Sequence, residues 1–296
     1  MIRRGILLGL ALAALGAGPG AAATAAPGDT LLVSAEWLAA RAGAPDLVIV
    51  ETGADSRSYD AGHIPGARFV PLGAIVTERA GVPSELPEVV QLAGTLEAAG
   101  ISSTSRVVIY GDPLPAARLF FTLDYLGFGD RTSILDGGLA AWKRAGHGVT
   151  QVVPEEPSGR LDSSPRPDLV VTAEWVRAHL GDTNVVLIDA RPEAEWRGDV
   201  PGAGITRPGH IPGAASLFWR ITLTPPEPAL LKDRGVLTHL FARTGARAGV
   251  TVVTYCRTGI QASWLYFVAR YLGYPVRLYD GSFIEWSNQP EHPVER

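Results

Sequence analysis

Cysteine is nearly absent from this chain: Cys256 is the only one in 296 residues. A lone thiol can neither close an intramolecular disulfide nor supply a multi-thiolate metal site. Basic clusters are missing as well. Lysine and arginine number 26 against 30 acidic residues, a formal charge of −4 at pH 7, and no run of either sign points to nucleic acid or an anionic membrane surface. Apolar runs long enough to span a bilayer are also lacking, since a spanning helix needs about 20 apolar residues. The run from Gly5 to Gly16 is shorter than that. It follows a cationic start, Met1-Ile-Arg-Arg4, and leads into small residues where Ala21-Ala-Ala23 and Ala23-Thr-Ala25 both fit an A-x-A cleavage site. The pattern predicts a secretory signal peptide over residues 1–25, cleaved near Ala23 to Ala25, and hence a periplasmic protein; a membrane anchor is the alternative. The paired Arg3 and Arg4 leave both Sec and twin-arginine export open. Cleavage would remove two arginines and no carboxylate, moving the charge from −4 to −6 (−4 minus 2). An exported chain with one cysteine does without disulfides, so a thiol retained in an oxidising compartment is expected to do chemistry.

The remaining composition, 46% hydrophobic and 19% charged, is that of a globular protein, and the length suits two domains. The two halves repeat. Val33-Ser-Ala-Glu-Trp-Leu38 returns as Val171-Thr-Ala-Glu-Trp-Val176, and Gly62-His-Ile-Pro-Gly-Ala67 returns as Gly209-His-Ile-Pro-Gly-Ala214. Val107-Val-Ile-Tyr110 matches Val252-Val-Thr-Tyr255, Tyr125-Leu-Gly-Phe128 matches Tyr271-Leu-Gly-Tyr274, and Leu135-Asp-Gly-Gly138 matches Tyr279-Asp-Gly-Ser282. Five matches in one order mark a duplicated domain. The Pro-rich stretch 151–168 reads as a linker between domains at 29–150 and 169–296. Short apolar runs such as Asp46-Leu-Val-Ile-Val50 and Val185-Val-Leu-Ile-Asp189 suit buried parallel strands. Ser34 and Thr172 are placed to cap the helices carrying Trp37 and Trp175. Leu265, Val268 and Leu272 share one face of a helix that stops at Gly273, before Pro275. Each half is therefore expected to be an α/β unit, an open parallel sheet with helices on both faces. Ligands of such sheets bind at the carboxyl ends of the strands.

Cys256 stands at such an end. The run Val250 to Tyr255 reads as a strand, and Cys256-Arg-Thr-Gly-Ile-Gln261 as the turn into a helix. Loop amides and the helix dipole are expected to favour a thiolate there. Arg257 adds a cation, and Gly259 lets the backbone curl around the sulfur. A small apolar filler at a strand end is the bland alternative. The first copy departs at this point: Tyr110-Gly-Asp-Pro-Leu-Pro115 has Gly111 in place of the thiol, and Pro113 and Pro115 lack the N–H donors an anion cradle needs. That copy cannot run the same reaction, and its expected role is to pack against the other and shape the entrance to the site.

The two Gly-His-Ile-Pro-Gly-Ala segments, Asp189-Ala-Arg191, the Cys256 to Gln261 loop and Asp280-Gly-Ser-Phe-Ile-Glu-Trp286, taken together, resemble the tandem rhodanese-domain sulfurtransferases over essentially the whole mature length. The resemblance implies an inactive N-terminal and an active C-terminal rhodanese domain, a persulfide on Cys256, and thiosulfate or 3-mercaptopyruvate as sulfur donor. In that scheme the loop of Arg257, Thr258, Gly259, Ile260 and Gln261 holds the anionic persulfide, Arg257 holds the donor's sulfonate, and no metal or organic cofactor is needed. The outer sulfur passes to cyanide or another thiophilic acceptor by two-step nucleophilic catalysis.

The donor is left open by a mixed loop. Arg257 suits an inorganic dianion, whereas Thr258 supplies a hydroxyl where mercaptopyruvate-using relatives carry serine. Those relatives also carry an arginine four residues after Asp-x-Arg, where this chain has Glu195; Arg197 is the substitute candidate for a carboxylate clamp. The balance favours thiosulfate. Arg191, with no counterpart in the first copy, either binds substrate or pairs with a carboxylate under the loop. Because both copies carry them, His63, His210, Asp280 and its counterpart Asp136 are expected to be structural. Arg207, in a Gly/Pro-rich loop, is either a further anion contact or solvated. A cysteine phosphatase would need an arginine six residues after the nucleophile, and position 262 is Ala262. A sulfur carrier without turnover is the non-enzymatic alternative. A monomer is the default for a chain that pairs two domains internally.

Overall fold

The computed structural model describes Met1 and residues 31–155, 158–225 and 229–296. The expected signal peptide falls almost wholly outside the described residues. No helix among the described residues is long and apolar enough to cross a membrane.

In the first half, strands β1 (Leu32–Val33), β2 (Leu47–Gly53), β3 (Arg68–Pro71), β6 (Arg106–Gly111) and β7 (Thr132–Leu135) form one sheet in the order β1-β7-β6-β2-β3, all parallel. A hairpin of β4 (Thr77–Arg79) and β5 (Val82–Glu85) stands apart from it. The helices are α1 (Ala35–Ala39), α2 (Arg57–Ala61), α3 (Val89–Ala98), α4 (Pro113–Tyr125) and α5 (Gly138–Arg144). The second half repeats the plan. Strands β8 (Val170–Val171), β9 (Val185–Asp189), β10 (Ala215–Ser216), β11 (Thr251–Tyr255) and β12 (Val276–Tyr279) run β8-β12-β11-β9-β10, again all parallel. Around them lie α6 (Ala173–Ala178), α7 (Glu193–Trp196), α8 (Arg234–Ala242), α9 (Ile260–Leu272) and α10 (Ser282–Asn288). Strand for strand the two orders coincide, as a duplication requires.

Parallel strands must be covered on both faces, and the alternation of side chains along them does this. On β2 and β6, Val48, Val50, Val107 and Ile109 face α3 and α4, while Ile49, Val108 and Tyr110 face α1, α2 and α5. The ends of the helices follow local chemistry. Ser34 and Thr172 accept hydrogen bonds from the Trp37 and Trp175 amides at 3.2 Å, which provides for donors at each helix start. Gly273 ends α9 in the left-handed conformation at φ 88°.

The first face of each sheet belongs to a core shared by both halves. Helices α4 and α9, each 13 residues long and buried along most of their length, pack against one another. Phe121 meets Tyr266 edge-on at 4.8 Å, and Phe120 meets Phe267 at 5.0 Å. At the far end Asp124 is fully buried and accepts from the Tyr266 hydroxyl and Arg270 Nε, both at 2.8 Å, and from Arg166 at 3.1 Å. Reciprocal contacts cross the interface. Asp280 of the second half accepts from the Leu86 amide of the first, and Asp136 of the first accepts from the Leu231 amide of the second, both at 2.8 Å. Segment 158–166 lies along the first half, where the Ser164 and Arg166 amides donate to Leu126 and Tyr125.

Candidate functional site

Strand β11 carries the chain to Tyr255, and α9 begins at Ile260; Cys256 to Gly259 bridge the gap at the carboxyl end of the sheet. Two features force the bridge into a tight cradle. Gly259 adopts φ 87°, and a Cβ there would come within 2.8 Å of Asp280 Oδ1, so the position requires glycine. Ser282, held at φ 56°, donates its hydroxyl to the Tyr279 carbonyl at 2.9 Å and accepts from the Cys256 amide at 3.2 Å. The Phe283 and Ile284 amides then donate to the Cys256 and Arg257 carbonyls at 3.0 and 3.1 Å. The thiol residue is therefore pinned by the start of α10 as well as by its own strand.

Cys256 is only 1% exposed. Burial pushes its thiol pKa up, while the amides of Ala262, Thr258 and Gln261, turned toward the sulfur, pull it down. Burial wins. The expected thiolate therefore requires correction for this closed geometry: the cradle donors are present, but a sealed sulfur keeps its proton more tightly than a free cysteine. Gln261 Oε1 is buried without a hydrogen-bond partner among the described residues.

Beside the loop, the Arg257 guanidinium forms an ion pair with Glu195 on α7, with Nε at 3.3 Å from Oε2. Glu195 is largely buried and Arg257 one-third exposed. The backbone of the long insertion closes over this pair: a Cβ on Gly202 would lie 2.6 Å from Arg257 Nε and 2.9 Å from Glu195 Oε2. Glu195, standing where the mercaptopyruvate-type pattern has arginine, thus holds the guanidinium of the residue that follows Cys256.

The remaining arginines go elsewhere. Arg191 is buried, donates to the Asp189 carboxylate at 2.6–3.0 Å and to the Gly209 carbonyl at 2.8 Å, and stacks over the Phe283 ring at 4.1 Å. Its assignment as a substrate contact is corrected to the other role left open, a carboxylate-paired strut under the loop. Arg197 is 58% exposed and pairs with Glu193 one turn back in sequence, which makes it a poor carboxylate clamp. Arg207 is neither solvated nor turned to an anion; it donates to the Ser287, His292, Gln289 and Trp286 carbonyls and caps the end of α10. His63 stacks on Tyr59 at 3.7 Å and His210 on Trp196 at 4.1 Å, each with Nδ1 on the carbonyl of its stacking partner.

The residue that sequence reasoning missed is Arg118. It comes from α4 of the first half, is fully buried, and donates to Asp280 Oδ1 at 2.6 Å and Oδ2 at 3.2 Å, and to the Ser84 carbonyl at 2.8 Å. Asp280 touches the place where Gly259 would carry a side chain, so the first half buttresses the loop from below. The available signal was one arginine among Ala116, Ala117, Leu119 and Phe120 in an otherwise apolar helix. At the corresponding strand end of the first half, Gly111 has φ 130°, and a Cβ there would fall 2.1 Å from the Thr52 carbonyl oxygen. No thiol-bearing residue fits that place without a backbone shift.

The model of the rhodanese-like domain matches residues 34–145 and again 172–289. A probable 3-mercaptopyruvate sulfurtransferase of Pseudomonas aeruginosa is 34% identical over 277 residues, 89% of this chain and 97% of its own length. A thiosulfate sulfurtransferase of the same organism is 32% identical, over 90% of this chain and 97% of its own. The crystal structure of a rhodanese-fold 3-mercaptopyruvate sulfotransferase from Escherichia coli superposes with a TM-score of 0.75 at 28% identity, covering 86% of this chain and 98% of that one. Two sheets of identical strand order, a cradled cysteine in the second alone, and these likenesses lead to one conclusion: the chain belongs to the rhodanese family, as a tandem of two rhodanese-like domains whose relatives include sulfurtransferases and a sulfur carrier protein.

Proposed function

We propose that this protein is a sulfurtransferase that takes a sulfane sulfur from thiosulfate onto Cys256 and passes it to cyanide or another thiophilic acceptor. The observation that carries the reading is the cradle: a single thiol at a strand end, with the amides of Thr258, Gln261 and Ala262 turned toward it. In the first step the Cys256 thiolate attacks the outer sulfur of thiosulfate. A new S–S bond forms, the S–S bond of the donor breaks, and sulfite leaves with the bonding pair. In the second, the acceptor attacks the outer sulfur of the persulfide and Cys256 departs as thiolate, ready for another cycle. The amides meet charge that the persulfide carries on its terminal sulfur, where fixed donors in a dry site act most strongly.

Arg257 is the cation nearest in sequence to the thiol, and it suits a sulfonate by charge. Its pairing with Glu195 means that a dianionic donor competes with a carboxylate for the guanidinium. The N-terminal half takes no part in the bond changes in this reading; Arg118 and the hairpin at Ser84 hold the loop through Asp280. The residues 1–25 motif supports action outside the cytoplasm. A relative named for 3-mercaptopyruvate keeps that donor in view, although Arg191 and Arg197 are engaged by carboxylates and offer no ready clamp for its carboxylate.

Steady-state assays test the proposal. With thiosulfate and cyanide the protein is expected to form many equivalents of thiocyanate per Cys256, faster than it forms pyruvate from 3-mercaptopyruvate. A single equivalent without turnover would replace the enzyme by a sulfur carrier, and faster use of mercaptopyruvate would replace the donor.

A further inference from the structure

The two halves differ in a buried charge at the carboxyl end of the strand that precedes the loop. In the second, Asp189 lies opposite Tyr255 in the strand register and its carboxylate is neutralised by Arg191, two residues on. In the first, Glu51 lies opposite Tyr110 in the same register, and two residues on stands Gly53. The tyrosines are equivalent too: each hydroxyl accepts from the isoleucine amide of its Gly-His-Ile-Pro-Gly turn, Ile64 or Ile211, and bonds the neighbouring carboxylate. Only the guanidinium is missing from the first half.

Its place is open. A cavity of 550 Å³ lies at the carboxyl ends of β2 and β6, lined by Glu51, Thr52 and Gly53. Glu51 is 3% exposed and its Oε2, sealed from solvent, has no hydrogen-bond partner among the described residues, so a ligand meets that oxygen once the Glu51 side chain turns into the cavity. Buried acceptors are rarely left unpaired, and an unpaired one signals a group that belongs there. Asp55 and Asp112 add negative charge at the wall, and the one wall arginine, Arg57, is turned outward and paired with Asp55 at 2.8–3.0 Å. Leu139 takes the position from which Phe283 stacks on Arg191, so the floor stays apolar. The volume is that of a small-molecule site, roughly 300–1,000 Å³.

We propose that the N-terminal cavity is a binding site for a small molecule carrying a guanidinium group, which docks on Glu51 as Arg191 docks on Asp189. A planar guanidinium offers parallel N–H donors to a carboxylate. The site is independent of Cys256 and of the sulfur-transfer reading.

Calorimetric titration of the full chain with butylguanidine tests this, with butylurea as the uncharged counterpart. The expected result is saturable one-to-one binding of butylguanidine and none of butylurea. Cys256→Ser is expected to bind unchanged, and Glu51→Gln at least about tenfold more weakly, the size of a lost charge-assisted hydrogen bond. Gly53→Arg gives a check that does not depend on removing a buried group. Gly53 lies outside the left-handed region and a Cβ there meets nothing closer than 3.4 Å, so the new arginine is expected to fill the cavity, block butylguanidine and raise the melting temperature. No saturable binding to the wild-type chain, or binding unaltered in both Glu51→Gln and Gly53→Arg, would overturn the proposal.

Discussion

Breaking the Arg118–Asp280 pair tests whether the first half holds the catalytic loop of the second. Both partners are buried, the contact is two-pronged at 2.6 and 3.2 Å, the Leu86 amide and the Ser84 carbonyl add one hydrogen bond to each side, and Arg118 Nε has no partner among the described residues. Arg118→Met leaves a buried carboxylate with one amide for company; Asp280→Asn leaves a buried guanidinium with neutral acceptors only, the asparagine oxygen and the Ser84 carbonyl. Removing one member of a buried pair costs about 3–5 kcal/mol because the other charge stays behind. For a protein of this size that corresponds to a fall in melting temperature of roughly 6–20 °C, at about 2–4 °C per kcal/mol. The double variant removes both charges while Asn keeps an acceptor for the Leu86 amide, so it is expected to lose less than either single variant. Urea titration gives the three free energies, and the non-additivity measures the coupling. Sulfur-transfer rates, taken at a temperature where every variant is folded, are expected to fall in the single variants because Asp280 packs against Gly259. Losses below about 1 kcal/mol in both single variants, or a double variant equal to their sum, would refute the reasoning.

Other expectations follow from the same geometry. Glu195→Gln frees Arg257 and removes a negative charge near the donor, so kcat/KM is expected to rise roughly three- to tenfold for dianionic thiosulfate, and less for mercaptopyruvate. A fall for thiosulfate would mean that Glu195 positions Arg257 rather than restraining it. Because burial raises the Cys256 pKa, its alkylation by iodoacetamide is expected to have a midpoint above that of a free cysteine. The folded state holds this proton more tightly than the unfolded chain, so the thiol's contribution to stability is full below the unfolded pKa and is lost as pH rises through the folded one. A midpoint below that of free cysteine would show the cradle outweighing burial. Gly111→Cys is expected to destabilise by about 2 kcal/mol or more, through the clash with the Thr52 carbonyl and the positive φ. Its new thiol is expected to take up no sulfur in a Cys256→Ser background, as read by intact mass.

Much of this was written in local signals. Paired motifs gave the duplication, apolar runs gave the strands, Ser34 and Thr172 marked helix starts, and Gly273 marked a helix end, because each rests on residues adjacent in the chain. The cradle was visible for the same reason: strand, Cys256, glycine and helix lie within a few residues. What stayed hidden depends on distance. Arg118 and Asp280 are 162 positions apart and Glu195 and Arg257 62 apart, and only the packing of α4 on α9 and the fold of the insertion bring them together. Arg191 could be seen as the residue the first copy lacks, but whether it turned to substrate or to Asp189 was a matter of side-chain direction that spacing does not encode. The sign of the Cys256 shift was missed for a related reason, since local amides argue for a thiolate while burial is a property of the whole fold.

The most direct test of the central claim is the intact mass of the protein after brief exposure to thiosulfate. A gain of one sulfur atom, removed by cyanide and absent from Cys256→Ser, is the predicted result. No gain in the wild-type chain, or an equal gain in Cys256→Ser, would contradict a persulfide on Cys256.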